Sequence, residues 1–215
     1  MTAQEGTIHF AYALTPGDSG LAPESHAEFA AWRSILRDLE LLGQHPGRYD
    51  GFAYGNLSCR VDATEFVITA SQTSGATTLP PEDLVRISHV NLERFWVDAV
   101  GEQPPSSESL THAMLYAADP RVAWVFHVHS LTIWQAREAL KLPGTAADVA
   151  YGSPAMARAV SELMEAHASR PLVFATAGHE DGIFAAGTHA RDCGGLLVSY
   201  LARARALNAP TAPAS

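Results

Sequence analysis

The chain has 215 residues, 47% hydrophobic and 17% charged, which is room for one large α/β domain with a sizeable core and excludes a disordered chain. Its formal net charge of −9 argues against general nucleic-acid binding and against docking on an anionic membrane, since both need a basic footprint. Two cysteines far apart in sequence, Cys59 and Cys193, with no CxxC partner, exclude a disulfide scaffold and point to a reducing compartment.

The N-terminus lacks a charged stretch followed by a long apolar one, and no apolar run is long enough to span a bilayer. The expectation is a cytoplasmic protein with one domain over 1–215, of which 1–20 and 208–215 are peripheral tails. No repeat or linker divides it.

In chain order, "SHAEFAAWRSILRDLELLG" is predicted to be a helix, with Phe29, Trp32, Ile35, Leu36 and Leu39 at helical spacing, Ser25 as cap and Gly43 as stop. "GFAYGNLSCRVD" and "EFVITA" read as strands from their aromatic and β-branched content. "SQTSGATTLPPEDL" reads as a loop, with Pro80 and Pro81 leading into a helical or turn segment. A strand follows near Phe95 to Val100, with a turn at Gly101. "SSESLTHAMLYAADP" reads as a helix with Leu110, Ala113, Met114 and Ala117 on one stripe and Pro120 as stop. "RVAWVFHVHS" reads as a strand, and "SPAMARAVSELMEAHASR" as a helix with Pro154 in its first turn. "PLVFATAGHEDGIFAAG" reads as two short strands joined near Gly178 to Gly182, and "RDCGGLLVSYLARARAL" as the closing helix. Mixed strands and helices along one chain indicate a layered α/β domain.

The chemistry begins at "FHVHS". Residues i and i+2 of a strand share a face, so His127 and His129 project together. Two imidazoles so placed can chelate zinc or another first-row metal; two histidines at a strand end without a metal is the other reading. A metal needs further ligands. Glu108, in the first turn of the predicted helix before this strand, is one candidate, as a ligand or as a general base beside the metal. An acidic residue there also simply complements the helix dipole. His179, in the Gly-bracketed turn "AGHEDG", is another candidate; its neighbours Glu180 and Asp181 are either ligands or solvated charges. Ser106 and Ser107 precede a helix, where free backbone N–H groups favour an anion. "YGNLS" and "TSG" add two more Gly-containing turns, and the three together could cradle a phosphate or carboxylate. His112, one turn beyond Glu108, reads as a packing or supporting residue.

Taken in order, these pieces resemble the class II aldolase/adducin family. "GNLSCR" resembles its Gly-Asn-x-Ser-x-Arg segment, "VITASQTSG" its Ile-Thr-Pro-Ser-Gly loop, and "PEDLVRI" the Asp-Leu-Val segment that follows. "PPSSESLTHAMLYAADPRVAWVFHVHS" resembles Ser-Ser-Glu, a His-containing helix and His-x-His-Ser, and "ATAGHEDGIFAAG" a late His-Gly turn. The resemblance runs from about Ala27 to Leu207. It implies a three-layer α/β/α sandwich around a mixed, mainly antiparallel sheet, and a homotetramer with sites at subunit interfaces. It also implies a divalent metal at His127, His129 and His179, zinc first, with Mn2+, Fe2+ or Co2+ as alternatives. Glu108 would be the acid/base. Gly55, Asn56, Ser74, Gly75, Ser106 and Ser107 would hold a substrate phosphate.

The implied activity is that of a metal-dependent lyase: aldolase-type C–C cleavage through a metal-stabilised enediolate. Its substrate would be a small sugar derivative or hydroxy/oxo acid, phosphorylated or not. Decarboxylase, epimerase, dehydratase and a non-catalytic adducin-like scaffold are the alternatives. Three departures bear on the choice. The loop "ITASQTSG" is longer and lacks the family's proline, so Ser71, Gln72 and Thr73 compete with Ser74 and Gly75. Fuculose-phosphate-type aldolases carry a proton-donating tyrosine after the His strand, and nothing here matches it; Tyr151 lies later. Glu180 follows His179 where a glycine is usual.

Overall fold

The computed structural model describes residues 6–149 and 153–209. Tyr151 and most of the C-terminal tail lie outside the described residues.

The strands are β1 (Ala11–Thr15), β2 (Gly43–Gln44), β3 (Ala53–Tyr54), β4 (Asn56–Arg60), β5 (Phe66–Thr69), β6 (Leu84–Asn91), β7 (Trp96–Val100), β8 (Trp124–His129), β9 (Gly144–Thr145), β10 (Leu172–Thr176) and β11 (Gly182–Gly187). The helices are α1 (Pro23–Asp38), α2 (Ser109–Ala118), α3 (Leu131–Gln135), α4 (Pro154–Ala166) and α5 (Ala190–Leu207). Nine strands form one sheet in the order β1-β7-β6-β5-β4-β8-β11-β10-β9. Among the described residues only the two edge pairs, β1 with β7 and β9 with β10, are parallel. β2 and β3 form a separate small hairpin.

Alternation along the strands sorts the core into two layers. Leu57, Trp124, Phe126, Val128, Ile183 and Ala185 pack on one face with Phe29 and Leu36 of α1, Ile133 of α3, and Leu197 and Leu201 of α5. Ile68, Val125, Phe174 and Phe184 face the other way, onto Leu110 and Met114 of α2 and Met156 and Val160 of α4. This is the three-layer α/β/α sandwich around a mainly antiparallel sheet expected from the sequence. Cys59 and Cys193 are free and buried in the first layer, and burial pushes both thiols up to about 12. No helix among the described residues is long and apolar enough to cross a membrane.

Several element boundaries differ from the sequence reading. α1 begins at Pro23, at the first helical position, without a side-chain cap, so Ser25 lies inside it. It ends at Asp38 rather than Gly43: Leu39 N–H returns to Ile35 O and Glu40 takes a left-handed φ of 58°. The predicted strand over 51–62 is two strands, broken at Gly55. There φ is +76°, and a Cβ would lie 2.6 Å from Leu42 Cβ. α2 starts at Ser109, making Glu108 its N-cap residue rather than part of its first turn. The sequence reading misses β6, because Arg86, Ser88 and His89 obscure its alternation. β1, within the expected tail, is an edge strand whose five residues are all at least partly exposed.

Arg33 of α1 shapes the long loop after β5. The side chain is 1% exposed, and its guanidinium donates to the carbonyls of Thr73, Ala76 and Thr78 at 2.6, 2.8 and 3.2 Å. The far side of that loop is tied to the segment before α2 by Ser71 N–H donating to Pro104 O at 3.0 Å and by a bridge between Ala70 and Pro105.

Candidate metal centre

The strand period puts His127 and His129 on the face that carries α2. In register, His127 pairs with Asn56 on one side and with Phe184 on the other, and His129 pairs with Gly182. The turn between β10 and β11 carries His179. It closes tightly: His179 N–H donates to Thr176 O at 3.1 Å and Gly182 N–H to His179 O at 3.1 Å. A Cβ on Gly182 would lie 2.3 Å from Thr176 Oγ1, so glycine is required where the turn meets the strand. Three imidazoles from two separate segments thus converge, and one ring nitrogen of each lies within 4.8 Å of the others.

Glu108 arrives from the N-terminus of α2. Its Oε1 is 3.6 Å from His127 Nε2 and 3.8 Å from His179 Nδ1. Glu108 is 2% exposed and His127 and His129 are 0% exposed; the His179 side chain is 15% exposed, so the group is reached from the His179 side. Burial holds both His127 and His129 well below the usual histidine range, and neighbouring histidines add to the effect. Both are therefore neutral rings, each with one N–H and one lone pair.

Which nitrogen carries the proton follows from the partners. His127 Nδ1 lies 3.3 Å from Ile183 O; a carbonyl only accepts, so Nδ1 is the donor and Nε2 holds the lone pair. His129 Nδ1 lies 2.9 Å from Tyr49 Oη. The two Nε2 atoms are 3.0 Å apart. Without a metal that contact is a hydrogen bond needing one N–H; with the proton on Nδ1 of both rings, the two lone pairs converge on a point a cation can occupy. The donor set of imidazole nitrogens beside a carboxylate therefore fits a first-row divalent metal.

Tyr49 and Asp181 are residues whose part in the site the sequence reading misses. Tyr49 Oη donates to Asp181 Oδ2 at 2.8 Å and accepts from Arg48 at 3.0 Å. Tyr49 and Asp50 both take left-handed φ values, 50° and 54°, before Gly51, a strain of roughly 1–3 kcal/mol per residue. Asp181 is 9% exposed. The sequence leaves it open as a ligand or a solvated charge, and it is neither: it holds Tyr49. Glu180, open in the same way, is exposed. The only sequence signal for Tyr49 is "RYDG", an ordinary turn composition.

The residues expected to bind an anion fall into two groups. Gly55, Asn56, Ser74, Ser106 and Ser107 line one small cleft beside His127, together with Ser71 and Gln72. Gly75 does not belong to it. It faces Gln44, whose Oε1 would lie 2.4 Å from a Cβ there, and it lines the neighbouring cleft with Arg48 and Tyr54. The extra loop length turns the Ser-Gly pair so that Ser74 Oγ donates to Gly55 O at 2.5 Å, while Thr73 Oγ1 is spent on Ala70 O at 2.8 Å. Asn56 is 7% exposed, and its Oδ1 has no hydrogen-bond partner among the described residues.

His112, at 0% exposure, is a packing residue. Its Nδ1 is 2.6 Å from Ser58 Oγ, which also meets Tyr116 Oη at 2.7 Å.

The family model for the class II aldolase and adducin N-terminal domain matches residues 45–205. The chain belongs to this family. No curated protein matches the sequence. Among solved structures, L-fuculose-1-phosphate aldolase from Thermus thermophilus is similar at TM-score 0.60 and 22% identity, over 87% of this chain and 97% of that one. A sugar-phosphate aldolase from Thermotoga maritima matches at TM-score 0.64 and 15% identity, over 88% and 97%. YgbL from Escherichia coli, a putative aldolase/epimerase/decarboxylase, matches at 0.62 and 17%, over 86% and 88%. At these identities the likeness is one of fold, and it confirms the class II aldolase architecture. Proteins of the class II aldolase family typically bind a divalent metal, and the three histidines here can accept one.

Proposed function

We propose that this class II aldolase family protein is a metal-dependent lyase that cleaves a C–C bond in a small sugar-derived or hydroxy/oxo-acid substrate, phosphorylated or free. The observation that carries the reading is the carboxylate of Glu108 within 3.6 and 3.8 Å of two members of the buried histidine triad. His127, His129 and His179 would hold the metal, with zinc the first expectation and Mn2+, Fe2+ or Co2+ the alternatives. A divalent metal bound there supplies Lewis-acid polarisation of a substrate carbonyl or hydroxyl. Glu108 takes the proton from the substrate and returns it; its burial keeps bulk water out of that transfer.

Asn56, Ser106 and Ser107, with Ser71 and Gln72, bind the remote end of the substrate. The N-terminus of α2 favours an anionic group at that point, and the buried Asn56 Oδ1 is an acceptor suited to a substrate hydroxyl. Gly55 allows the backbone to approach closely, and Ser74 supports it from behind. Gly75 has no place in this role. The reading also carries a cytoplasmic location, in keeping with two free buried cysteines, a single domain over the whole chain, and a homotetramer, as the family resemblance implies.

Decarboxylation or dehydration is the second reading, favoured by one observation. The tyrosines whose rings meet His129, Tyr49 and Tyr54, are both engaged: Tyr49 with Asp181 and Arg48, and Tyr54 with Arg48. Tyr49 gives its hydrogen to Asp181 and is not a free second proton donor opposite Glu108, while Tyr54 accepts from Arg48 and keeps its own. The test is elemental analysis and turnover, on a panel of sugar phosphates and hydroxy acids, for the wild type and His127→Ala/His129→Ala. Stoichiometric metal and turnover are expected in the first and neither in the second. Turnover persisting in the metal-free double variant would sink the proposal.

A further inference from the structure

We infer that Tyr49 is a positioning residue for the triad, setting His129 with its proton on Nδ1 and its Nε2 lone pair turned toward His127. The inference rests on the metal-site reading above and goes beyond it, because Tyr49 touches none of the reacting groups that reading assigns.

A phenol has one hydrogen and two acceptor positions. The hydrogen of Tyr49 goes to Asp181 Oδ2, at 2.8 Å. Arg48 donates to the phenol oxygen at 3.0 Å, and its guanidinium lies 3.7 Å from the same carboxylate oxygen. One acceptor position then remains, directed at His129 Nδ1, 2.9 Å away. An acceptor there demands N–H on His129. A ligating imidazole has one N–H and one lone pair; with the N–H at Nδ1 facing Tyr49, Nε2 carries the lone pair toward His127, and a metal takes the place of the 3.0 Å Nε2–Nε2 hydrogen bond.

The surroundings leave little slack. The Tyr49 ring meets the His129 ring edge-on at 5.0 Å and the Tyr54 ring at 5.2 Å, and Arg48 lies over both tyrosines, at 5.1 and 4.3 Å from their centroids. Two consecutive non-glycine residues in left-handed conformation, Tyr49 and Asp50, aim the phenol at this point. His127 gets its orientation from a backbone carbonyl. For His129 the chain uses a side-chain relay drawn from the turn that also carries His179, so the Tyr49–Asp181 bond couples two of the three imidazoles. Such outer partners fix the tautomer and raise ligand basicity, and their loss lowers metal affinity by about 10–100-fold.

The experiment measures the affinity of metal-stripped protein for Zn2+ by chelator competition, and the visible absorption of the Co2+-loaded protein, for wild type, Tyr49→Phe and Asp181→Asn. Phenylalanine keeps the ring contacts and removes the acceptor. Affinity in Tyr49→Phe is expected to fall by about 10–100-fold, with altered Co2+ bands. Wild-type affinity and bands in Tyr49→Phe would overturn the inference while leaving the metal site standing. If Tyr49→Phe melts lower without metal, Asp181→Asn decides by the same two readouts. Failure of the wild type itself to bind Zn2+ or Co2+ would overturn the metal-site reading and this inference with it.

Discussion

Two groups of buried histidine share one face of the sheet, and they differ in where their nitrogens point. His127 lies against Phe184 with ring centroids 4.2 Å apart and planes at 19°. His112 meets the same phenylalanine edge-on at 5.8 Å. Both histidines are 0% exposed. Yet His112 Nδ1 is committed to Ser58, in a network that ends at Tyr116, and no carboxylate or second imidazole forms an ion pair or hydrogen bond with it among the contacts described. Around His127 the pattern is reversed: its Nδ1 is tied back to the backbone and its Nε2 is left to face His129 and Glu108. His112 and His127 are equally buried and touch the same phenylalanine. Convergence of lone pairs beside a carboxylate is what separates a candidate metal centre from a core histidine.

The sharpest way to test that contrast is at Glu108. Glu108→Gln keeps shape and hydrogen-bonding capacity and removes the base, so turnover is expected to fall by about 10²–10⁴-fold with metal content unchanged. Elemental analysis alongside the assay separates this from the loss of a metal ligand, in which both would fall. On the other side of Phe184, His112→Ala is expected to leave metal content at the wild-type level. It should lower stability by roughly 1–3 kcal/mol through the stranded Ser58–Tyr116 pair, read by denaturant unfolding. Metal loss in that variant would erase the distinction drawn between the two groups.

His112 also predicts a pH response. Burial pulls its pKa down from 6.5 to about 3. Below pH 6.5 the unfolded chain takes up a proton at this ring that the folded protein refuses, so the unfolded state is favoured as pH falls. The stability due to its neutral burial is fully present above pH 6.5 and is lost as pH falls from there toward 3. Unfolding curves of metal-free protein across that window should be less steep in pH for His112→Ala than for wild type. The smallest expected effect is at Ser74→Ala. Because that hydroxyl is already given to Gly55 O, the variant should lose about 1 kcal/mol of stability with KM unchanged; a large rise in KM would return Ser74 to the substrate side of the cleft.

The motif "GNLSCR" shows how a resemblance divides once the contacts are visible. Gly55 and Asn56 line the small cleft beside His127. Ser58 instead serves the His112 network, and Arg60 clamps the carbonyls of Val122 and Tyr116 at 2.8 and 2.7 Å. Half of that motif lines the cleft and half holds α2 against β4. The loop "ITASQTSG" divides the other way: its extra length brings Ser71 and Gln72 to the cleft and turns Gly75 out of it. Composition could not assign these positions, because a Ser-Gly turn reads the same wherever it faces.

Features set by local periodicity were legible in the amino-acid order. The shared face of His127 and His129 follows from a strand repeat of two. The helix after "PPSS" and the paired strands around His179 follow from local pattern and turn chemistry. These are short-range rules, and they carried the α/β class and the candidate residues Glu108, His127, His129 and His179. Tertiary structure alone decided which of those residues meet, because β8 and β11 are adjacent in the sheet while β8 and β9 are not. The same is true of Tyr49: the contact that sets the His129 proton spans 80 positions. A hydrogen-bond partner that distant leaves no periodic trace, since the chain needs only one residue of the right kind at the end of a turn.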